Sequence, residues 1–499
     1  MIFHKVEPIR TYTFERLSRL FAVVAFILLL FGAKLWLIDH YGNPTPFWDQ
    51  WDGEAANLYA PFLEGTLRFQ DLFAAHNEHR IFTTRLLSLA ELKTNGVWNP
   101  LLQMVINAVL HITVLLFIII QMLKVIGQKY LLPVLAFSLI LFSTPYAYEN
   151  TLAGFQAQFY FVLFFSISTL WLTITKPPFS KNWWIGLISG GFAYFSLASG
   201  VFAIAAAAGV GIIVFLLKLR RDSSQLFAIL MFMIIFTVGV CYTPLVPNHV
   251  LLKAHSPEQF FRALFTILSW PLDQFGTYAL FINAPAIIFI SYMLWRRPPS
   301  EDTKWFLFGT VMWAAIQSAS IAYGRHEGPL APRYLDLYAI LILINFICLL
   351  SFLKIIKPAH RRLGIISVAI WAIIILLALI NTRAPSLHGA AFLYQKGLEQ
   401  QINTSRYIAT GDMDNLRNKP LFSIPYPDAD RLAMILNKAS IRSILPSDIA
   451  SLKTKKLGRL DDFVSALLSH YWVFLWAGFM SLLLTLFFIL LRRDKRSSL

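Results

Sequence analysis

The sequence is poor in charged residues and in cysteine, and each shortage excludes a class of protein. Charged residues make up 14% of the 499 positions, hydrophobic residues make up 57%, and the mean hydropathy is +0.60. This composition excludes water-soluble domains in series and indicates an integral membrane protein. The two cysteines, Cys241 and Cys348, lie within or beside apolar runs. Their positions exclude an external disulfide and a cysteine metal site, so we expect both side chains to pack in the core.

The apolar residues fall in runs of roughly 17 to 22, which is the length that a helix needs to cross a bilayer. Because the runs lack the alternation of outer-membrane strands, we predict an all-α polytopic membrane protein with about 12 transmembrane helices. The predicted helices span 17–38, 100–122, 130–145, 157–175, 183–199, 201–217, 225–243, 278–295, 305–323, 335–353, 363–380 and 471–491. The fifth and sixth are separated only by residues 198–200, and they form either a tight hairpin or one long broken helix.

Acidic residues are scarce, because 27 Asp and Glu stand against 43 Lys and Arg, for a formal charge of +16. Cytoplasmic loops retain Lys and Arg, and with twelve helices the basic loops fall on one side, which predicts that both termini are cytoplasmic. These loops include Lys124, Lys129, Lys176, "KLRRD" from Lys218 and "RRDKR" from Arg492. The charge is then a collar facing membrane lipids, and a nucleic-acid partner is excluded. The first apolar run lacks a cleavage motif and predicts a retained signal anchor.

The same topology predicts which segments share the external face. They are 39–99, 146–156, 199–200, 244–277, 324–334 and 381–470. We divide the chain into a transmembrane unit at 1–380, a small helical external domain at 381–470, and a last helix with a basic cytoplasmic tail at 471–499. The first external loop, 39–99, is expected to contain short amphipathic helices broken by turns. In the external domain, "YPDADRLAMILNKASIRSIL" has the pattern of an amphipathic helix, and a solvated cap without catalytic residues is the alternative.

The first external loop begins with "FWDQWD", which contains two carboxylates three residues apart. Asp49 and Asp52 are flanked by aromatic residues that suit the membrane interface. We therefore expect both acids at the mouth of the bundle, with Trp48 and Trp51 partly desolvating Asp49. The alternative is an ordinary polar loop whose acids are solvated.

The same loop contains "HNEHR", in which His76, His79 and Arg80 fall within one turn. This spacing offers two imidazoles to zinc or a cationic clamp to a phosphate. A third zinc ligand is missing nearby, so the pattern favours the phosphate clamp. Structural hydrogen bonding is the remaining alternative.

Two further external turns carry polar clusters. "YGRHEGPLAPRY" places Arg325, His326 and Arg333 on the side from which the positive-inside bias excludes them, with Tyr334 beside Arg333. A guanidinium at headgroup depth can fork onto a lipid-linked phosphate, or it can snorkel and pair with a neighbouring acid. "YENTLAGFQAQF" carries Glu149 and Gln156, which suit sugar hydroxyls as well as helix capping.

The order of these elements resembles the GT-C superfamily of integral membrane glycosyltransferases. The resemblance rests on a first span, an acidic external loop with short helices, a many-helix bundle, a late external "RY" and a carboxy-terminal external segment. Members of this family use polyprenyl-phosphate sugars, and the chain resembles its bacterial protein mannosyltransferases, aminoarabinose transferases and serotype-converting glucosyltransferases. The resemblance implies that Asp49, or alternatively Asp52, is the catalytic acid, and that Arg333 with Arg325 holds the lipid phosphate. The spacing "DQWD" departs from the family's usual adjacent acids or D-x-D.

The residues themselves suit such a reaction, because displacement at an anomeric carbon needs a base and a cationic cradle for the departing phosphate. We therefore expect transfer from a polyprenyl-phosphate sugar to a cell-envelope glycan, lipid or protein, at the external face of a bacterial inner membrane. A divalent cation is left open as a cofactor. The alternatives are an O-antigen polymerase or ligase, and a transporter or flippase. Against a transporter, the ionisable residues concentrate in loops and not near the midplane of the bilayer.

Overall fold

The computed structural model describes residues 6–450 and 456–497, and this part of the chain is all-helical. The first ten α-helices are α1 (Val6–Tyr41), α2 (Ala60–Leu63), α3 (Phe82–Asn95), α4 (Pro100–Ile126), α5 (Leu131–Ser143), α6 (Tyr148–Leu152), α7 (Ala157–Thr175), α8 (Lys181–Tyr194), α9 (Val201–Leu216) and α10 (Ser223–Cys241). The next ten are α11 (Pro257–Ser269), α12 (Ala279–Arg296), α13 (Lys304–Gly324), α14 (Leu335–Phe352), α15 (Arg361–Asn381), α16 (Arg383–Thr410), α17 (Ala429–Leu436), α18 (Ala439–Arg442), α19 (Asp461–Ser469) and α20 (Tyr471–Ser497).

Shorter helical segments connect these elements. A π-helix spans Trp51–Tyr59 in the first loop. Turns of 3₁₀-helix span Phe69–Phe73, Gln128–Tyr130, Pro145–Ala147, Gly154–Gln156, Ala198–Gly200, Pro247–Leu252, Pro332–Tyr334, Pro358–His360 and Met413–Asn415. The first loop therefore contains short helices broken by turns, as its glycine and proline content predicts.

Among the described residues, 11 helices are long and apolar enough to cross a membrane, which is the architecture of a polytopic helical membrane protein. The fifth predicted span, at 183–199, is shorter than expected, because α8 has 14 residues and ends at Tyr194. At about 1.5 Å per residue it is about 21 Å long, less than the roughly 30 Å of a hydrocarbon core. The count of twelve full-length spans is therefore not reached.

Helix α8 nevertheless leads the chain back towards the first loop. Gly186 packs against α7, where an added Cβ would lie 2.7 Å from Cβ of Leu172. After α8, the amide of Ala198 donates to Nδ1 of His79 in the first loop at 3.4 Å. The fifth and sixth predicted helices are thus separate elements joined by a tight turn, and a single broken helix is wrong.

The first and last spans, α1 and α20, pack closely along each other. An added Cβ at Gly32 of α1 would lie 2.8 Å from the side chain of Leu475, and one at Gly478 of α20 would lie 2.7 Å from Leu29. Small residues allow helix backbones this close an approach, which compensates in a membrane for the lack of a hydrophobic driving force. This contact holds α1 and α20 together.

Side-chain contacts bring the six predicted external loops to one face of the bundle, here called the first-loop face. The linking pairs are Glu78–His249, Glu78–Arg325, Glu149–Arg333 and Asp52–Arg431, together with the Ala198–His79 contact. Basic loops meet at the opposite face, where Lys354 donates to the carbonyl of Val125 at 3.1 Å. The assignment of the first-loop face to the outside of a cell stays a prediction.

The first loop and the carboxy-terminal segment share one hydrophobic core. Trp51, Leu58 and Trp98 from the first loop and its end pack with Leu432 and Ile444 from the carboxy-terminal segment. The predicted amphipathic helix in that segment is two short helices, α17 and α18, which are separated at Asn437 and Lys438. The predicted external domain at 381–470 therefore shares its hydrophobic core with the first loop. The division of the chain at residue 380 stays a prediction.

The two cysteines differ in their environments. Cys348 in α14 is buried, as predicted, but Cys241 at the end of α10 is exposed, so the prediction of core packing is wrong for it. Helix α10 contributes few residues to the core and presents most of its length to the surroundings of the bundle.

Candidate active site

Asp49 lies on the first-loop face, in the turn between α1 and the π-helix. Its side chain is 53% exposed, and Oδ1 lies 3.6 Å from Nε2 of His76, a side chain that is 9% exposed. Burial raises the pKa of Asp49, but His76, followed by Arg333 and His79, outweighs it and leaves the pKa below its ordinary value. Asp49 is therefore an ionised proton acceptor that solvent reaches.

The backbone around Asp49 is held in an uncommon conformation. Trp48 has φ of 49°, in the left-handed region that a bulky side chain rarely adopts. Its ring stacks on Phe422 at 5.8 Å, and its amide donates to the carbonyl of Pro425 at 2.7 Å. Four residues further along, an added Cβ at Gly53 would lie 2.6 Å from the ring of Phe155. The carboxy-terminal segment thus fixes the turn that projects Asp49.

Asp52 is engaged in a different contact, although only two residues separate it from Asp49. Its Oδ1 accepts from Nε and Nη2 of Arg431 at 3.0 and 2.8 Å. Its Oδ2 accepts from the hydroxyl of Tyr426. The carboxylate therefore links the first loop to the carboxy-terminal segment, and both of its oxygens already accept hydrogen bonds.

The two tryptophans that flank Asp49 also pack against other aromatic rings. Trp51 is fully buried, its Nε1 donates to the carbonyl of Pro46 at 2.8 Å, and its ring packs edge-on against Trp98. Trp48 faces Phe422. Trp51 thus lies in the core shared with the carboxy-terminal segment, Trp48 stacks on that segment, and His76 lowers the pKa of Asp49 against the effect of burial.

His76 and His79 form a tight reverse turn. Each backbone amide donates to the other residue's carbonyl, at 2.8 and 3.0 Å, and Asn77 adopts a left-handed φ of 51° within the turn. The ring of His76 points to Asp49, whereas burial lowers the pKa of His79 to about 4. His79 is therefore neutral, and its Nδ1 accepts from Ala198. The turn therefore directs the two imidazoles to different partners, Asp49 for His76 and the amide of Ala198 for His79.

Glu78, between the two histidines, joins three loops and was not singled out from the sequence. Its Oε1 lies 2.6 Å from Nδ1 of His249 and 3.1 Å from Nη2 of Arg325. Burial raises the pKa of Glu78, but His249 and then Arg325 outweigh it and bring the pKa to about 2. Arg325 is thus committed to Glu78 and not to Asp49. The signal in the sequence that could have identified Glu78 is its position between His76 and His79, two predicted ligands.

Arg333 and Glu149, predicted in separate clusters, form a pair beside Asp49. Nη1 of Arg333 lies 3.4 Å from Oε2 of Glu149, and the guanidinium stays 44% exposed. It also lies 5.4 Å above the ring centroid of Tyr334. Because Arg333 lowers the pKa of Asp49, the two groups share one electrostatic environment. Arg333 keeps donors free on the surface where a phosphate could bind.

Three predicted residues are engaged away from Asp49. Arg80 donates to the carbonyl of Phe73 at 2.9 Å and lies 4.0 Å above the ring of Tyr242, because the chain has already reversed at the histidine turn. The amide of His326 donates to the carbonyl of Leu252. Gln156 accepts from a neighbouring glutamine side chain at 3.3 Å. Their role in binding a substrate stays a prediction.

A buried carboxylate network supports the first loop and escaped the sequence analysis. Glu54 in the π-helix is 1% exposed. Its two oxygens accept from the side chains of Ser88, Gln103, Gln50 and Trp98, at 2.6, 2.7, 3.0 and 3.2 Å. Burial raises the pKa of Glu54, and burial with the nearby Glu54 raises the pKa of Glu91 to about 8. Burial distinguishes Glu54 and Glu91 from the exposed acids of the first loop, and burial cannot be read from the sequence.

Asp49 and Asp52 are the candidate ligands for a divalent cation in the first loop. Within residues 6–450 and 456–497, no three His, Cys, Asp or Glu side chains gather in a metal-binding arrangement. Asp49 and Asp52 point to different partners, His76 and Arg431. The two carboxylates therefore do not offer a shared ligand set for a divalent ion.

A second polar cluster lies inside the bundle, below Arg333. Lys34 of α1 donates to Oγ1 of Thr151 at 3.3 Å, and Asp336 of α14 accepts from Nδ2 of Asn150 at 2.9 Å. Nε2 of His111 lies 4.0 Å from Asp336. The sequence-based argument that ionisable residues concentrate in loops is incomplete, because these three ionisable residues are buried within spans.

Comparisons with protein families, curated proteins and solved structures find no match for this chain.

Proposed function

We propose that this protein is a membrane glycosyltransferase that moves a sugar from a polyprenyl-phosphate donor to a hydroxyl of a cell-envelope acceptor. The observation that carries the proposal is Asp49, an ionised carboxylate that is open to solvent and whose pKa the charge of Arg333 helps to lower. One group accepts a proton and the other stabilises a departing phosphate, which are the two functions that the reaction requires.

In the proposed reaction, the acceptor hydroxyl oxygen attacks the anomeric carbon of the donor sugar. Asp49 takes the hydroxyl proton while the new carbon–oxygen bond forms. The bond between the anomeric carbon and the phosphate oxygen breaks, and the phosphate keeps the electron pair. Arg333, whose guanidinium is 44% exposed, faces this developing charge. The products are the glycosylated acceptor and a polyprenyl phosphate.

The partners of the two acids favour Asp49 over Asp52 as the base. Arg431 and Tyr426 occupy both oxygens of Asp52. Asp49 has one partner, His76, at 3.6 Å, and half of its side chain remains exposed. A general base needs a free lone pair directed at the substrate, and Asp49 meets this requirement.

The position of the site supports a lipid-linked donor. Arg333 lies at the start of α14, a span that is almost entirely buried, and Asp49 follows α1, the first span. A donor held in the bilayer by its polyprenyl chain would present its phosphate at this level. A soluble nucleotide sugar would have no need of a site at the end of two spans.

The test is to incubate the purified protein with a panel of polyprenyl-phosphate sugars and to measure release of polyprenyl phosphate. We expect release with at least one donor, and faster release when lipid and glycan fractions of a cell envelope are added. If no donor is consumed while the protein is monodisperse and binds none of them, the proposed function is wrong.

One observation favours a carrier as the second candidate. Lys34 and Asp336 are ionisable residues of opposite sign that are buried within spans, and such residues often mark transport pathways. The two candidates differ in a direct measurement, because an enzyme releases polyprenyl phosphate in detergent, where no compartments exist. A carrier moves intact donor between compartments and leaves its phosphate bond unbroken.

A further inference from the structure

The buried polar cluster is costly for a membrane protein, and Asp49 does not need it. Lys34, His111, Asn150 and Asp336 are each at most 7% exposed. An ionisable residue at membrane depth is expensive and usually has a function. Proton release does not require the cluster, because Asp49 is 53% exposed and can return its proton directly to water.

Asn150 connects this cluster to the site. Its amide group donates to the backbone carbonyl of Arg333 at 3.0 Å and to Oδ2 of Asp336 at 2.9 Å. The preceding residue, Glu149, pairs with the guanidinium of Arg333. The same short helix, α6, therefore holds both the backbone and the side chain of Arg333.

Lys34 completes the arrangement from a distant part of the chain. It donates to Thr151, which follows Asn150, and its charge opposes that of Asp336. The Lys34–Thr151 and Asn150–Asp336 hydrogen bonds therefore join helices α1 and α14 to α6. If either charge is removed, the other is left unbalanced in a low-dielectric interior, and the elements that it holds must shift.

We infer that the Lys34–Asp336 pair, acting through Asn150, is a positioning element that sets the place of Arg333 relative to Asp49. This inference rests on the proposed function for its kinetic consequence, but its geometric consequence is independent of any reaction. A guanidinium displaced by about 1 Å is sufficient to weaken a cradle whose effect depends on geometry.

Three variants test the inference. Asp336→Asn and Lys34→Met each leave one unbalanced charge, and the double variant restores neutrality while Asn at 336 can still accept from Asn150. We expect each single variant to raise KM for the polyprenyl-phosphate sugar roughly tenfold with little change in kcat. We expect the double variant to recover KM to within about threefold of the wild type.

The matched control is Asn345→Ala, on the same helix as Asp336. Asn345 is fully buried and donates to Asn283 of α12 at 3.2 Å, so its loss also breaks a buried polar contact. We expect this variant to lower Tm without changing KM. If Asn345→Ala and Asp336→Asn lower Tm equally and neither changes KM below Tm, the cluster is only structural and the inference is overturned.

A second measurement does not depend on turnover. In a Cys241→Ser background, spin labels at Ala153→Cys and Ala331→Cys report the separation of the α6 and α14 loops by dipolar broadening. We expect Asp336→Asn to change the broadening and the Lys34→Met double variant to restore it. Unchanged broadening in Asp336→Asn would overturn the inference. Changed and restored broadening in a protein that uses no polyprenyl-phosphate sugar would retain the positioning element and reject the proposed function.

Discussion

Nε2 of His76 lies 3.6 Å from Oδ1 of Asp49, and His76 together with Arg333 and His79 outweighs the burial that would otherwise raise the pKa of the carboxyl group. We therefore predict that His76→Gln raises the pKa of Asp49. The acidic limb of the rate–pH profile should move to higher pH, because Asp49 then protonates earlier as the pH falls. The measurement is transfer rate against pH for both proteins. If both proteins show the acidic limb at the same pH, His76 does not lower the pKa of the base.

Asp49→Asn keeps the shape of the side chain and removes the proton acceptor. We expect the transfer rate to fall by roughly 10² to 10⁴, with donor binding and Tm close to those of the wild type. Single-turnover kinetics with a saturating donor measures this loss. Near-normal transfer by Asp49→Asn, alone and combined with Asp52→Asn, would show that the base lies elsewhere.

Asp52 and Arg431 should contribute to stability more than to chemistry. The pair joins the first loop to α17, and its Tyr426 contact uses the second carboxylate oxygen. We expect Asp52→Asn and Arg431→Met each to lower Tm, with a coupling free energy of about 0.5 to 3 kcal/mol in a double-mutant cycle. The transfer rate measured well below Tm should stay close to that of the wild type. A rate loss for Asp52→Asn larger than that for Asp49→Asn would reverse the two roles.

Arg333 is the proposed phosphate cradle. Arg333→Lys keeps the charge but loses the planar fork, so we expect weaker use of the donor, and Arg333→Ala should weaken it further. Loss of a hydrogen bond to a charged group costs roughly 1.5 to 3 kcal/mol, or about tenfold to a hundredfold in kcat/KM. Arg80→Ala is the control, because Arg80 contacts Phe73 and Tyr242 instead. Equal kinetics for wild type and Arg333→Ala would refute the cradle.

Glu91 should make stability depend on pH. Its pKa in the folded protein is about 8, raised from an ordinary value of 4.5, so it adds stability that is complete below pH 4.5 and is lost as the pH rises to about 8. Each unit of pKa difference corresponds to about 1.4 kcal/mol. We predict that Glu91→Gln makes Tm fall less as the pH rises across this window and raises Tm at its alkaline end. Thermal unfolding in detergent across the window measures both effects.

Glu54→Gln is the matched variant for Glu91→Gln, with the opposite expected result. Glu54 accepts four hydrogen bonds, and Gln would place an amide group against two of the donors. We expect a lower Tm at every pH. If the two Gln variants behave alike, the four hydrogen bonds to Glu54 do not distinguish the two acids.

Reporter fusions test which side of the membrane the first-loop face meets. We expect alkaline phosphatase to be active after Asn77, Ala331 or Asp430 and silent after Arg221, Pro299 or Arg496. The first three positions belong to loops that meet on one face, and the bias of Lys and Arg predicts that this face is external. Activity after Arg221 with silence after Asp430 would contradict this orientation.

The amino-acid sequence by itself determined the membrane class, the helical architecture and most of the spans. An apolar run must be about 20 residues long to cross a bilayer whatever its tertiary partners are, so length and composition are sufficient. Helix α8 is the exception, because its 14 residues do not by themselves reach the length of a span. The grouping of six loops on one face also follows from the sequence, since the distribution of charge reports topology.

Tertiary structure alone decided the roles of the individual acids. Asp49 and Asp52 look equivalent in "FWDQWD", but the partner of Asp52 is Arg431, 379 residues away. Glu54 became a buried acceptor of four hydrogen bonds, and Lys34 and Asp336 became buried residues bonded to neighbouring positions of α6. The pKa and availability of a carboxylate depend on the groups that surround it in space. Contacts between such distant positions arise only when the helices pack.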